Sequence, residues 1–515
     1  MKLNYKRTLL VGFAFFLIQV FWQAYDATIP VILTNKFGMS QTASGFIMAL
    51  DNILAVFMLP IFGALSDKCR SKRGKRTPFI TIGTTVAAVL LVALSFVDHA
   101  QLQNLTDISA IDDPAALSVI YDQQANTTLQ TPEGKEFVLS EVMDKDSFIT
   151  IRSEIVEPSG EKTISQDFTN YVVPARQACA ADATAQQPVP MYLFIGLLLA
   201  LLIAMSIFRS PAVALMPDVT AKPLRSKANA IINLMGTAGG ILVLVLGMVF
   251  ATSAVKNAMM NYYVYYGIIA ALMLGALAIF VLTVREPQWA KEMQEESAHL
   301  DAEEVEEAGE KRRLSKSELR SMLLILASVA LWYIGYNAVT SKYSLYASSV
   351  LGMDYNTTML LAQGAAIVAY LPAGMVASKI GRRKTILAGV VMLAAAFGIA
   401  AFMRAGSPVL LMNVLFALAG IGWATINVNS FPMVVEMCAG ADIGKFTGYY
   451  YTASMAAQVI TPIFSGFLMD QMGMVVLFPY AALFAGLAFV TMFFVKHGDT
   501  KVVAKKGLEA LDIED

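Results

Sequence analysis

The sequence predicts an all-α membrane protein with twelve transmembrane helices arranged as two six-helix halves. Composition is the first reason: 57% of the 515 residues are hydrophobic and 15% are charged, whereas soluble domains are about 45–50% apolar and about 25% charged. The second reason is the presence of twelve apolar runs, each long enough for the roughly 20 residues that a spanning helix needs. The third is an uneven distribution of positive charge between the loops on the two sides.

The apolar runs form two sets of six, separated by a charged linker. In chain order the predicted spans are residues 8–33, 43–65, 78–97, 190–214, 228–253 and 262–284, then 320–341, 356–377, 385–403, 408–431, 446–469 and 474–495. The predicted domains are a first half at residues 1–284, a linker at 285–319, a second half at 320–496 and a tail at 497–515.

A long polar insert interrupts the first half between the third and fourth spans. Residues 98–189 contain fifteen Asp and Glu residues against five Lys and Arg residues. The linker is also highly charged, which predicts a solvated and partly helical segment. The net charge of the whole chain is −1, so the composition predicts no nucleic-acid partner.

Positive charge is concentrated on one side of the predicted membrane. Six cationic residues lie within the nine positions from Lys68 to Arg76, and the loops on the side of the two termini hold 28 of the 38 Lys and Arg residues. By the positive-inside rule, both termini and this cluster are predicted to be cytoplasmic and the insert to be external. The cluster has an alternative interpretation as a topology anchor without a further role.

Two loop patterns recur six helices apart. The segment from Gly63 to Arg76 ends the second span with small residues, an acid and bases, and Gly374 to Ile386 repeats much of this pattern after the eighth span. Likewise, Pro217 to Ala230 and Val434 to Gly448 each place an acid and then one or more bases before a helix rich in small residues. Parallel six-helix repeats are typical of transporters with a central site between two halves.

The loop after the second span resembles the Gly-x-x-x-Asp-(x)-Arg-x-Gly-Arg-Arg motif of the major facilitator superfamily. An insertion at Cys69–Lys72 lengthens it, and Thr-Pro-Phe follows at residues 77–79. This longer form resembles the sucrose-transporter branch of the glycoside–pentoside–hexuronide:cation symporters, as do Phe21–Leu33 and Phe208–Asp218. The resemblance does not extend to the insert, and Ser378 stands where the second motif would have an acid.

Three ionisable residues fall inside predicted spans: Asp26, Asp51 and Arg209. Intramembrane charges are costly and face a partner or a water-filled cavity. If an acid is paired with Arg209, protonation of that acid would break the pair and leave the arginine to bind substrate hydroxyls. The alternative is that the pair is a permanent link between helices. The family resemblance implies that Asp26 contacts sugar and that Asp51 serves the coupling ion. Sodium-using relatives have a second acid where this chain has Ala55, so we expect protons rather than sodium to be coupled.

Sugar sites combine aromatic faces with amides and charges, and these residue types occur in several spans. The predicted substrate-binding residues are Gln19, Trp22, Gln23, Asp26, Asn52, Arg209, Asn229, Asn233, Tyr336, Asn337, Gln363, Trp423, Asn427 and Gln458. The alternatives are interhelical hydrogen bonding for the amides and interfacial anchoring for Trp332 and Tyr336.

Charged residues at the cytoplasmic helix ends are predicted to close an inner gate. These residues are Asp67, Arg73, Arg76, Asp218, Arg383 and Glu436. We expect Asp218 and Glu436 to pair with Arg73, Arg76 or Arg383.

Taken together, the residues and the resemblance predict a proton-coupled sugar or glycoside symporter, with a disaccharide such as sucrose or maltose as substrate. The alternatives are an efflux carrier of the same fold for amphipathic compounds, and a non-transporting sensor whose insert binds the ligand. No nucleotide-binding loop or catalytic constellation occurs in the sequence, so we expect no enzyme, no metal and no cofactor besides the coupling cation. A monomer in the plasma or inner membrane is expected.

Overall fold

Long α-helices carry most of the chain and cross the molecule in alternating directions. The computed structural model describes residues 3–156, 162–220, 224–304, 315–435, 437 and 443–498. The first three helices are α1 (Tyr5–Asn35), α2 (Gln41–Asp67) and α3 (Thr77–Asn104). At about 1.5 Å per residue, each is longer than a bilayer core, which is ~30 Å thick.

The insert that follows α3 contains short helices and two hairpins. Its elements are α4 (Thr106–Ser109), α5 (Pro114–Gln124), β1 (Thr128–Gln130), β2 (Glu136–Val138), α6 (Leu139–Val142), α7 (Lys145–Thr150), β3 (Glu154–Val156), β4 (Lys162–Ile164), a π-helical turn (Phe168–Val172) and α8 (Val173–Gln186). Both hairpins are antiparallel, with Leu129 opposite Phe137 in the first and Ile155 opposite Thr163 in the second.

The remaining helices complete the first half and build the second. They are α9 (Val189–Asp218), α10 (Arg225–Phe250), α11 (Tyr263–Thr283), α12 (Glu286–Glu304), α13 (Lys316–Tyr346), α14 (Tyr355–Ile380), α15 (Arg382–Ala400), α16 (Val409–Val435), α17 (Ile443–Met472) and α18 (Leu477–Phe493). Single turns of other helix types lie at Val255–Asn257, Ala347–Leu351 and Met474–Val476. Eleven helical segments of the described chain are long and apolar enough to cross a membrane, and α14, at the predicted eighth span, completes the twelve.

Polar side chains fix where several of these helices begin. Ser40 accepts a hydrogen bond from the Ala43 amide at the start of α2. Ser315 and Glu318 form a reciprocal capping box at the start of α13. These side chains satisfy amides that have no partner inside the helix, so they explain why the helices start at these residues.

The two halves repeat the same helix neighbours. In the first half α1 packs on α10, and α3 packs on α9 and α11; in the second half α13 packs on α17, and α15 packs on α16 and α18. Each pair in the second half matches the pair six spans earlier. The halves meet along two seams, α2 against α17 and α10 against α14, and these seams are also equivalent by the repeat.

The insert has a hydrophobic core of its own. Leu117, Ile120, Phe148, Phe168 and Val172 are fully buried within it. The insert is therefore a folded layer over one face of the bundle. We call this face the insert side and the opposite face, where α1 begins and α18 ends, the termini side.

Two helix ends differ from the expected ones in a way that matters for the site. Helix α3 continues to Asn104, beyond the predicted end at residue 97, so Asp98 belongs to the helix. Helix α13 continues to Tyr346 instead of ending near residue 341, so Lys342 also lies in a spanning segment. Both residues have charged or polar partners that permit this extension.

Candidate functional site

Three helices of the first half bring the predicted charged residues together. Asp26 of α1 and Asp51 of α2 are half-buried and close enough to interact electrostatically. Arg209 of α9 interacts in the same way with Asp51. Its guanidinium carbon lies 5.3 Å from the ring centre of Trp22, in a cation–π contact. The four predicted residues Trp22, Asp26, Asp51 and Arg209 therefore form one cluster, which we call the charged cluster.

The charged cluster does not contain a tight ion pair. Among the described residues, no ion-pair contact within 4.0 Å joins Arg209 to Asp51 or Asp26. Asp51 instead accepts a hydrogen bond of 2.7 Å from the neighbouring Asn52 amide. The alternative of a permanent helix-to-helix ion pair is therefore not the arrangement in this structure. The guanidinium and the two carboxylates remain available to a third group.

An aromatic pair from the second half faces this cluster. Tyr336 of α13 and Trp423 of α16 stack with their ring centres 3.6 Å apart and their planes 2° apart. Tyr336 is also close enough to Asp26 to interact electrostatically. The pair offers a flat apolar surface opposite the charges, which is the combination that binds the C–H faces and hydroxyls of sugars.

A hydrogen-bonded cluster joins the two halves beside Asp26. The Gln23 amide of α1 donates to the Tyr355 hydroxyl of α14 at 3.0 Å, and the Gln363 amide of α14 donates to the Gln23 carbonyl at 2.6 Å. Gly240 of α10 leaves room for it, because a Cβ there would lie 3.3 Å from Gln363 Oε1. Sequence reasoning found Gln23 and Gln363 but missed Tyr355, which lies just before the predicted eighth span.

Other predicted substrate residues do not join these clusters. Gln19 and the Asn229–Asn233 pair are exposed, and Asn427 is half-buried. Asn233, Asn337 and Gln458 each donate to the backbone carbonyl four residues earlier in their own helix. These amides form hydrogen bonds within their own helices. The structure therefore supports neither hydrogen bonds from them to other helices nor a position for them in the site around Asp26.

The interfacial alternative for the aromatic residues is wrong. Trp332 is fully buried in the core of the second half, and Tyr336 is stacked on Trp423 in the bundle interior. Neither position is at a membrane surface, because both lie in the middle of α13, which runs from Lys316 to Tyr346.

On the termini side, Arg76 holds together the helix ends of the first half. It donates to Asp218 at 2.7 Å and to Asp67 and Ser66 at 2.5 Å each. Burial disfavours its charged form, but the hydrogen bonds and charges of Asp218 and Asp67 outweigh burial and raise the pKa of Arg76. The expected contact between Asp218 and an arginine of the loop is thus present, and its partner is Arg76.

The other predicted gate residues have different surroundings. Arg73 is exposed in the loop. Arg383 donates to the backbone carbonyl of Phe493 at the end of α18, and Glu436 lies outside the described residues. Sequence reasoning missed Glu286 of α12, which accepts hydrogen bonds from the amides of residues 75–77 and from the Thr77 hydroxyl. This carboxylate caps α3 and fixes the loop, because the first helix amides lack intrahelical partners.

On the insert side, the α2–α17 seam is closed by charged residues of the second half. Asp470 accepts hydrogen bonds from the Gln41 and Thr42 amides at 2.7 Å each and from the Thr42 hydroxyl at 2.5 Å. Lys342 donates to the Gln41 carbonyl at 2.8 Å. Gly45 permits the close approach, because a Cβ there would lie 1.9 Å from the Pro462 carbonyl oxygen.

The α10–α14 seam is closed at the same level. Asp354 accepts a hydrogen bond from the Ser253 hydroxyl, and the Asn356 amide donates to Thr252 at 3.1 Å. Burial opposes the charge of Asp354, but hydrogen bonds from Ser253 and Thr357 outweigh burial and hold its pKa below the usual range. With both seams closed, access to the charged cluster from the insert side is blocked in this conformation.

One further charged pair lies inside the first half. The Lys36 ammonium donates to both oxygens of Asp98 at 2.7 Å and to the Met260 carbonyl at 2.8 Å, and both side chains are fully buried. Lys36 also lies 4.7 Å from the ring centre of Tyr262. All three ammonium hydrogens thus have acceptors, so this pair is a satisfied link between α1 and α3.

Comparison with known families assigns most of the chain. The sequence-family model described as Major Facilitator Superfamily matches residues 177–369 and 356–512, which together cover more than half of the chain. A second model, described as MFS/sugar transport protein, matches residues 10–102.

Curated relatives match shorter segments. The sucrose transport protein SUC3 of Arabidopsis thaliana is 36% identical over 59 residues, which are 12% of this chain and 10% of that protein. The MFS-type transporter ppzB of Metarhizium rileyi (strain RCEF 4871) is 27% identical over 119 residues, 23% of this chain and 24% of that protein. The chain thus spans about a quarter or less of the length of these relatives in the matched segments.

Solved transporter structures share the fold over nearly the whole chain. The xylose transporter XylE from E. coli, in an inward-open conformation, aligns with a TM-score of 0.54 at 16% identity over 98% of both chains. A peptide transporter, POT, in complex with sulfate aligns with a TM-score of 0.58 at 10% identity over 95% of this chain and 93% of that one. Such low identities establish the fold alone. Since the superfamily model covers more than half of the sequence and the fold agrees with it, the chain belongs to the major facilitator superfamily of membrane transporters.

Proposed function

We propose that the protein is a secondary active transporter that carries a sugar or glycoside in symport with protons, by alternating access between its two halves. The observation that carries the proposal is the charged cluster of one half with the Tyr336–Trp423 stack of the other, where Tyr336 is close enough to Asp26 to interact electrostatically. A sugar between them would place its apolar face on the rings and its hydroxyls on Asp26 and Arg209. Support for a sugar also comes from the match of residues 10–102 to a sugar-transport model and from the short segment shared with a sucrose transporter.

The proposed coupling uses the charges around Asp51. With both carboxylates ionised, Asp26 and Asp51 repel each other and Arg209 is attracted to Asp51. A proton on Asp51 removes the repulsion and releases Arg209 to donate to substrate hydroxyls. Residue 55, one turn after Asp51, is Ala55 and not a second acid. A single carboxylate accepts a proton readily but supplies few of the oxygen ligands that sodium requires.

A disaccharide is the proposed substrate class, with cytoplasmic termini, an external insert and a monomer in the plasma or inner membrane. The orientation is supported by the excess of positive charge in the loops on the termini side. In this orientation the closed seams block the external side in this conformation.

Uptake into vesicles of purified protein tests the proposal. Labelled disaccharides are offered under an imposed proton gradient to the wild type, to Asp51→Asn, and to Asp107→Asn as an exposed control in the insert. We expect gradient-driven accumulation by the wild type and the control. Asp51→Asn should lose accumulation while retaining sugar exchange, because the site is intact but the proton carrier is not. Unchanged accumulation in Asp51→Asn would contradict the coupling role. Extrusion of amphipathic compounds without sugar uptake by the wild type would favour the efflux alternative.

A further inference from the structure

The insert is attached firmly to the first half. The Gln177 amide of α8 donates to the Asn35 side chain at the end of α1 at 2.8 Å. The Gln101 amide of α3 donates to the Thr184 hydroxyl of α8 at 2.9 Å. Gly38 lies directly against the backbone of Ala181, since a Cβ on Gly38 would be 2.3 Å from the Ala181 nitrogen. The insert and the first half are therefore joined by more than the chain connections.

The same insert also contacts the second half, at two hairpins. At the tip of the β1–β2 hairpin, the Pro132 carbonyl accepts a hydrogen bond of 3.3 Å from the Val475 amide. Beside it, Glu133 lies 3.7 Å from Arg404. Near the β3–β4 hairpin, Ile164 packs on Gly352, with atoms within about 3 Å of a Cβ built there. The insert thus bridges the two halves across the insert side.

The hairpin tip fits the second half backbone to backbone. Gly134 and Gly473 both have a φ of +86°, and a Cβ on Gly134 would lie 2.4 Å from the Met472 carbonyl oxygen. A Cβ on Gly473 would lie 2.3 Å from the Gly134 nitrogen. The positive φ of the hairpin turn explains why residue 134 is a glycine. It does not explain why Gly473 of the other half approaches so closely. The two backbones are therefore complementary in shape at this contact.

The bridge lies over the α2–α17 seam. A cavity of about 210 Å³ lies between the insert and the seam. It is lined by Gln41 and Asp470 of the seam and by Gln130 and Gln177 of the insert. If the halves separate on this side, the seam and the hairpin contacts must break together, because Asp470, Gly473 and Val475 are all close to the junction of α17 and α18.

We propose that the insert is a clasp that remains on the first half and releases the second half each time the insert side opens. Its contacts exist only when this side is closed, so they stabilise the closed conformation, and loosening them shifts the population toward the open one. The inference rests on the proposed alternating access of a transporter but not on the identity of the sugar or the ion.

A thiol-labelling experiment tests the clasp without any substrate. The reporter is Ser44→Cys on α2, a fully buried position whose hydroxyl has no hydrogen-bond partner among the described residues, in a protein lacking Cys69, Cys179 and Cys438. A membrane-impermeant maleimide is added from the insert side. We expect Gly134→Ala to raise the labelling rate severalfold.

The matched control is Gly406→Ala, in a loop on the same side. Gly406 also has a positive φ, +82°, but nothing lies within 4 Å of a Cβ built there, so it carries the same backbone strain without the contact. Equal labelling rates in Gly134→Ala, Gly406→Ala and the reporter parent would overturn the proposal. Arg404→Gln provides a second variant that leaves the insert sequence intact, and it should raise labelling less than Gly134→Ala.

A reversible cross-link tests whether release is required. Cysteines replacing Pro132 and Val475 would join backbones already linked by a hydrogen bond. Oxidation should abolish Ser44→Cys labelling and uptake, and reduction should restore both. A cross-linked protein that still labels or transports at the parent rate would overturn the clasp. If labelling responds as expected but no sugar is carried, the clasp stands and the proposed substrate is wrong.

Discussion

The Lys342 ammonium of the second half donates a hydrogen bond to the Gln41 carbonyl at the first turn of α2 in the first half. Asp470, from the same half as Lys342, accepts hydrogen bonds from the amides of that turn. At the start of α2, two amide donors and one carbonyl acceptor therefore have hydrogen-bond partners in the opposite half. The arrangement can exist only while the insert side is closed, so these two charges contribute to the choice between conformations.

Replacing Asp470 with Asn should weaken the α2–α17 seam. The carboxylate now accepts from three donors, and an amide would keep one acceptor oxygen and add unwanted donors. We expect a loss of about 1–2 kcal/mol from the closed conformation, as for other helix caps. Distances between spin labels on the two halves should then lengthen on the insert side. Asp122→Asn, at an exposed carboxylate of the insert, is the control, and equal distance distributions in both variants would contradict the prediction.

Much of the fold could be predicted from the sequence because apolar length and charge bias act locally. The twelve spans, the two halves and the convergence of Asp26, Asp51 and Arg209 all followed from residue types and order. The burial of Lys36 and Lys342 did not. Each follows or extends an apolar run and looks like a loop residue, and only the fold brings Asp98 or the Gln41 carbonyl to it.

The site was also predicted unevenly, for a physical reason. Helical spacing identifies which residues share a face, but it does not say which face meets the other half. Gln23 and Gln363 face each other across the halves, whereas Asn337 and Gln458 bond to their own helices. Glu286 was missed because the sequence shows only a single acid near the end of a span. Nothing in the sequence indicates that this acid, from the linker helix α12, caps the start of α3.

The Trp423 ring should determine sugar affinity. Trp423 is half-buried and stacks on the half-buried Tyr336, so Trp423→Ala would remove the platform and Trp423→Phe would keep part of it. We expect Trp423→Ala to raise the KM of uptake about fivefold, since an aromatic contact contributes ~1 kcal/mol beyond its buried area. Trp423→Phe should have a smaller effect.

The control for the two Trp423 variants is Trp332→Phe. Trp332 is fully buried and lies in the same helix as Tyr336. Its cost should appear as a lower apparent Tm and not as a change in KM. A KM that is unaffected by Trp423→Ala would exclude the stack from the substrate site.

Arg76 and Arg73 lie three residues apart and should differ sharply in their tolerance of lysine. Arg76 uses several guanidinium nitrogens to reach Asp218, Asp67 and Ser66, and a single ammonium cannot cover these positions. We expect Arg76→Lys to cost about 2–3 kcal/mol of unfolding free energy, near the range for a broken buried pair. The exposed Arg73→Lys should change it by less than ~0.5 kcal/mol. Unfolding of the purified protein in detergent measures both, and similar values would contradict this account.

The Lys36–Asp98 pair predicts a strong coupling free energy. Lys36→Met leaves the buried Asp98 carboxylate without its partner, which should cost about 3–5 kcal/mol. Adding Asp98→Leu removes the uncompensated charge and should recover much of that loss. A double-mutant cycle on the unfolding free energy measures the coupling. If the two substitutions were simply additive, the pair would not be the link between α1 and α3 that its geometry indicates.

The insert core can be tested through Cys179, which lies on α8 and is 2% exposed. Burial raises the pKa of this thiol to about 11, so at pH 8 only ~0.1% of it is the reactive thiolate. Cys69, two residues after the end of α2, is half-exposed and therefore accessible to a reagent in the folded protein. Brief treatment with N-ethylmaleimide, followed by mass spectrometry, should therefore modify Cys69 well before Cys179. Denaturant should remove the difference, because it exposes the thiol and returns its pKa toward the ordinary value. Equal rates in the native protein would mean that α8 does not pack as described, and the clasp would then lose the element that attaches it to the first half.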